Sequence, residues 1–117
     1  QSDAAIFNPG KIAFKAGVAY YPTCTVSKES PTFPLLVMIG RNDQSTNAWT
    51  CEQLVSARSD NTVPTELTVY PDAHHGFLER EWSTAKEIFG ARYEYNETAA
   101  EDALRRTGEF LARYVKG

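Results

Sequence analysis

An α/β fold, with about three parallel strands and flanking helices, is predicted by three observations. The run at 35–39 (LLVMI) is apolar without alternation, the pattern of a strand covered on both faces. Strand-like segments at 16–21 (AGVAYY) and 66–70 lie on either side of it in the chain. A helical stretch separates the second strand from the third, and strand–helix–strand order implies a parallel sheet with right-handed crossovers. Three strands make a small sheet for so buried a central run. Residues 1–117 therefore read as one partial domain, half of a larger α/β unit.

The elements follow in order. Asn8-Pro9-Gly10 is a turn signal in a weakly patterned opening of 16 residues, which reads as a loop or irregular connection. Pro22 ends the first strand, and the Ser-, Thr- and Pro-rich stretch 23–34 is a loop. Gly40-Arg41-Asn42-Asp43 breaks the second strand. A helix is expected over 47–59, with Trp49, Leu54, Val55 and Arg58 at helical spacing and Asn47 or Thr46 as N-cap. A turn over 59–64 leads to the third strand. Residues 78–95, interrupted by Gly90, predict an irregular excursion with one short helix. The last helix opens either at the capping box Thr98-Ala99-Ala100-Glu101 or at Asn96. Its predicted face is Ala100, Ala103, Leu104, Thr107, Phe110, Leu111 and Tyr114, and Arg105, Arg106, Arg113 and Lys116 complement the helix dipole.

Composition narrows the function classes. A net charge of -3 and a pI near 5.3 argue against nucleic acid or an anionic membrane surface as the main partner. No apolar run approaches membrane-spanning length, and no signal-peptide pattern opens the chain. The first residue is not Met, which fits a processed product or a fragment. Cys24 and Cys51 lack the spacing of a metal or redox motif. They are either two buried thiols or a disulfide, and a loop of that size would contribute about 3–4 kcal/mol in the chain-entropy model.

The stretch 67–77 (LTVYPDAHHGF) holds both histidines of the chain, just past the end of the third strand. Open α/β sheets place their ligand crevice at that edge. Asp43 follows the second strand at the same edge, and a carboxylate that accepts from imidazole fixes its tautomer and stabilises the imidazolium. Each candidate has a bland alternative. A loop histidine caps turns, an Asp after Asn42 forms them, and Trp49 and Trp82 are packing residues unless Trp49, six residues past Asp43, borders a pocket. Asp72, His74 and His75 are too few and too close for a usual metal site. Asn96-Glu97-Thr98 matches a glycosylation sequence, but Asn96 has a competing capping role.

YYPTC at 20–24, PLLVMIGRND at 34–43, Cys51, TVYPDAHHGF at 68–77 and the ending GARYEYNETAAEDALRRTGEFL together resemble the C-terminal half of dienelactone hydrolase-like α/β hydrolases. The resemblance implies an ester or lactone hydrolase with a Ser/Cys-Asp-His triad. Asp43 falls on the acid position and His75, directly before Gly76-Phe77, on the base position; His74 does not match. It also implies a Cys24–Cys51 disulfide, which would lean toward a periplasmic or secreted protein, and no metal or organic cofactor. The nucleophile elbow, G-x-S-x-G or G-x-C-x-G, precedes the acid in this fold. No such motif occurs in residues 1–117, so the elbow is expected upstream of Gln1. This chain alone is then predicted inactive, with the missing half of the fold or a second chain as its partner. The rival from another class is a non-catalytic α/β-hydrolase-like domain for binding or assembly.

Overall fold

The apolar run at 35–39 becomes the middle strand of a sheet. The computed structural model describes residues 15–24, 33–58 and 63–115. The expected turn at Asn8-Pro9-Gly10, most of the loop over 23–34, residues 59–62 of the expected turn over 59–64, and Lys116 lie outside the described residues. Strands β1 (Gly17–Tyr20), β2 (Leu35–Gly40) and β3 (Thr65–Tyr70) form a parallel sheet in the order β1-β2-β3. Leu36, Val37, Met38 and Ile39 are at most 2% exposed, so successive side chains on opposite faces are both covered. That is what their lack of alternation predicts.

Register decides what each face meets. Tyr20 pairs with Met38, and Tyr70 with Gly40, which puts Tyr20, Met38 and Tyr70 on one face. The tyrosine hydroxyls both reach helix α2 (Glu97–Tyr114): Tyr20 bonds Thr107 at 2.8 Å, and Tyr70 donates to Asp102 at 2.7 Å. Glu66, on the same face, meets Arg113 at 2.9 Å. Buried Ala99, Ala100, Ala103 and Phe110 line the inner side of α2, where small alanines allow close approach. Helix α1 (Ala48–Ala57), the crossover from β2 to β3, packs against both strands. Among the described residues no helix is long and apolar enough to cross a membrane.

Several boundaries and faces differ from the sequence expectation. The first strand stops at Tyr20 because Tyr21 takes a left-handed φ of 39°. Asn96 caps α2, its side chain accepting from Ala99 N, so Thr98 lies inside the helix and the capping box is not used. Leu104 and Leu111, expected inside, are 59% and 38% exposed. The tyrosine-to-helix bonds turn α2 toward its Ala99–Ala103–Phe110 side. Ala48 and Cys51 of α1 and Arg58 at its C-cap are buried and Trp49 is 61% exposed, because the inward side is set by Ala48 and Cys51 rather than by the largest residue.

The excursion over 78–95 holds more order than expected. A 3₁₀ turn (Arg80–Ser83) precedes an antiparallel hairpin of β4 (Lys86–Ile88) and β5 (Ala91–Tyr93). Its two-residue turn, Phe89-Gly90, has φ of 50° and 81°, the sign pattern of the primed turns that match strand twist. Strands of three residues are too short for periodicity to reveal, and Phe is not a residue that announces such a turn.

One ion cluster on α2 predicts acid sensitivity. Arg105, then Arg106 and the Tyr70 hydroxyl, hold the Asp102 carboxyl well below the usual range. A depressed carboxylate contributes stability above its unfolded value of about 3.9, and that contribution is lost as pH falls through the folded value. Asp102→Asn should therefore cost about 0.5–1 kcal/mol at neutral pH, the side chain being partly exposed. In urea denaturation series the gap from the parent should narrow as pH drops below about 4.

Candidate active site

Gly40 lets the two candidate loops meet. A Cβ at Gly40 would overlap the carbonyl group of Ala73, so only glycine permits this approach of the β2 end to the loop after β3. The backbones are then joined: Arg41 N donates to Tyr70 O at 2.8 Å and Asn42 N to Ala73 O at 3.0 Å. Asp43 follows directly, with its side chain fully buried.

Asp43 is held at both oxygens. Ser45 N and Thr46 N donate to Oδ1 at 2.8 and 2.7 Å. Oδ2 lies 2.8 Å from His75 Nδ1. An ionised carboxylate only accepts, so Nδ1 carries the proton and Nε2 is left as the basic nitrogen. The sequence places Asp43 and His75 at one sheet edge, and the folded chain brings them into hydrogen-bond contact.

The imidazole is framed by two aromatic edges. Tyr21 and Tyr93 stand 4.7 and 4.9 Å from the His75 ring at 62° and 66°, and the histidine side chain is 16% exposed. The Tyr21 hydroxyl donates to Glu79 Oε2 at 2.7 Å. Burial first, then the Glu79 carboxylate, pushes that phenol far above the ordinary value, so Tyr21 is a fixed donor and not a proton carrier. The backbone of His75 is anchored from the hairpin side, where Glu94 N donates to its carbonyl at 3.2 Å. Gly76 adopts φ 75°, and a Cβ there would stand 2.8 Å from the Trp82 ring. The Gly-Phe register thus serves packing: Phe77, fully buried, rests against Tyr21 and Tyr70.

The adjacent histidines are sorted by their partners. His74 Nδ1 lies 3.6 Å from Glu94 Oε1 and lines an open polar cleft of about 460 Å³. Arg41 and Arg92 also border it, already paired with Glu52 at 2.6 Å and Glu94 at 2.8 Å. Trp49 is not among the cleft's lining residues. Cys24 and Cys51 form a disulfide, tying the segment after β1 to the early turns of α1. Among the described residues, no three His, Cys, Asp or Glu side chains group to hold a metal ion.

Sequence reasoning missed Tyr21, Tyr93 and the side chain of Thr46 as members of this site. Thr46 had a signal. An Asp that receives N–H groups two and three residues on is a common local turn, and Asp43-Gln44-Ser45-Thr46 fits it. Tyr93 had none, because its strand was not visible.

Comparison with known proteins adds a family and a fold. The model of the dienelactone hydrolase family matches residues 4–115. Comparison with curated protein sequences finds no match. Among solved structures, a protein of Klebsiella pneumoniae subsp. pneumoniae MGH 78578 described as a dienelactone hydrolase is 26% identical, with a TM-score of 0.66 over 86% of this chain and 42% of that one. Esterase 2 of Thermogutta terrifontis, phosphoramylated by tabun, is 16% identical, with a TM-score of 0.61 over 85% of this chain and 41% of that one. The propionate-bound esterase from the same organism gives 16% and 0.60, over 85% and 42%. At that identity the likeness is one of fold. The chain spans about two-fifths of the length of these structures.

Proposed function

This chain belongs to the dienelactone hydrolase family, and on that premise we propose that it carries the acid and base of a triad that hydrolyses carboxylic esters or lactones. The observation that carries the reading is the 2.8 Å contact from His75 Nδ1 to the buried Asp43 carboxylate. A Ser or Cys nucleophile lies on an elbow preceding residue 1. It attacks the ester carbonyl as His75 Nε2 takes its proton, and Asp43 stabilises the imidazolium by holding Nδ1–H. Backbone N–H groups beside the nucleophile hold the oxyanion of the tetrahedral intermediate. On collapse His75 returns the proton to the leaving alkoxide. Water then attacks the acyl-enzyme with His75 again as base, and the acid is released. No cofactor enters these steps.

The rest of the fold is the partner of this chain. Among the described residues β1 pairs on one edge only, with β2, and an open strand edge calls for a neighbour. Leu104 and Leu111 on α2 are exposed and offer further apolar surface to a neighbour.

The test is covalent labelling of the polypeptide that contains residues 1–117 together with its upstream segment. An organophosphonate or β-lactone probe should attach to one Ser or Cys upstream of residue 1, and the same protein should hydrolyse short-chain aryl esters. A folded protein that takes no label and turns over no ester would favour the binding or assembly domain instead.

A further inference from the structure

We propose that Thr46 is a positioning residue for the Asp43–His75 pair, acting through its hydroxyl; this rests on the hydrolase reading above. Thr46 is the residue before the cap of α1, and the bland explanation for its hydroxyl would be helix capping. That role is taken. Asn47 caps the helix, its Oδ1 accepting from Trp49 N at 2.7 Å.

The hydroxyl points elsewhere, into the space where three segments converge. Thr46 Oγ1 lies 3.0 Å from Asp43 Oδ2, 3.1 Å from the Tyr21 carbonyl oxygen and 3.4 Å from His75 Nδ1. Its own N–H holds the other carboxylate oxygen at 2.7 Å. One threonine therefore addresses both oxygens of Asp43, fixing the plane of the carboxylate as well as its place. The link to the Tyr21 carbonyl ties that carboxylate to the segment after β1, whose aromatic ring borders His75.

A hydroxyl has one proton and two lone pairs, so it serves these three neighbours in two ways. With the proton on Asp43 Oδ2, all four donors of the carboxylate are in place and its orientation is locked. With the proton on the Tyr21 carbonyl, Oγ1 accepts as a second, longer partner of the His75 Nδ1–H, and Asp43 keeps its full charge for the imidazolium. Either state aligns Nδ1 with Oδ2, and a valine in the same place supplies neither. Hydrogen bonds to charged groups are the strong ones, and a supporting group that holds a catalytic pair in line acts on the turnover step rather than on substrate binding.

The experiment compares Thr46→Val, Thr46→Ser, His75→Ala and Asp43→Asn with the parent, each in the polypeptide that includes the upstream segment. Thr46→Val keeps branching, volume and the backbone N–H. It should lower kcat for an aryl ester about 10- to 30-fold with KM unchanged. Thr46→Ser should restore kcat to within about threefold of the parent. Thermal denaturation accompanies the kinetics, and Thr46→Ala stands in if the valine variant does not fold. Parent-like kcat in Thr46→Val or in Thr46→Ala, or equal losses in the serine and valine variants, would overturn the positioning role. In that case collapse of activity in His75→Ala and Asp43→Asn would still uphold the hydrolase reading. Full activity in His75→Ala would remove both.

Discussion

His75→Ala, in the polypeptide that includes the nucleophile, is expected to lower kcat for ester hydrolysis by about 10⁴- to 10⁶-fold. Without the ring there is no base for the nucleophile and no acid for the leaving alkoxide, and the residual rate comes from binding and the oxyanion site. Asp43→Asn should cost about 10⁴-fold while leaving the fold intact, and the local hydrogen bonds explain why. Ser45 N and Thr46 N both demand an acceptor at the Oδ1 position. The asparagine carbonyl must therefore face them, which turns its NH₂ group toward His75 Nδ1. Nδ1 then has to accept, the proton moves to Nε2, and the nitrogen facing the nucleophile is no longer a base. Steady-state kinetics on both variants, with circular dichroism to confirm the fold, checks the pair. An Asp43→Asn enzyme within tenfold of the parent would remove Asp43 from the mechanism.

Gly40→Ala is expected to destabilise the fold by about 3 kcal/mol or to prevent folding outright. The added Cβ would stand within the Ala73 carbonyl group, which is backbone and already accepts from Asn42 N. No flexible side chain is available to give way. The strain falls on the junction that seats Asp43 against the loop carrying His75, so stability and geometry fail together. Gly76→Ala makes a useful contrast. There the obstacle is the Trp82 ring together with the φ of 75°, so a second substitution, Trp82→Ala, should relieve the steric part and leave the conformational part. Chemical denaturation of the three variants distinguishes these cases, and a Gly40→Ala protein as stable as the parent would contradict the close approach.

How far the amino-acid sequence alone specifies this molecule differs from element to element. LLVMI announces a strand covered on both faces because a period-2 structure with no polar positions has no side left for water. Asn47 and Asn96 are legible as candidate caps, beside Thr46 and the Thr98 capping box, because a short polar side chain at a helix start has a local partner two or three residues on. Asp43 and His75 are legible together, since the order of strands and helices places both at one sheet edge and the family pattern supplies the register. In each case the determining interactions are local or follow from topology.

The hairpin, the true faces of both helices and the inner shell of the site required the folded chain. Three-residue strands carry no periodic signal, and Phe89-Gly90 turns without the usual asparagine or aspartate. Leu104 and Leu111 have the spacing of a buried stripe, yet Tyr20 and Tyr70 hold α2 by Thr107 and Asp102 and turn those leucines outward. Trp49 reads as a packing residue, with a pocket border as the alternative, and is exposed because Cys51 and Ala48 claim the inward side of α1. Thr46 had the pattern of a cap and became a link between Asp43 and Tyr21. Sequence alone determined which residues are the candidates, Asp43 and His75, and at which edge of the sheet they stand. Their orientation was decided only by tertiary structure, because hydrogen bonds between residues distant in the chain, and not local propensity, set the rotation of each helix and the plane of each side chain.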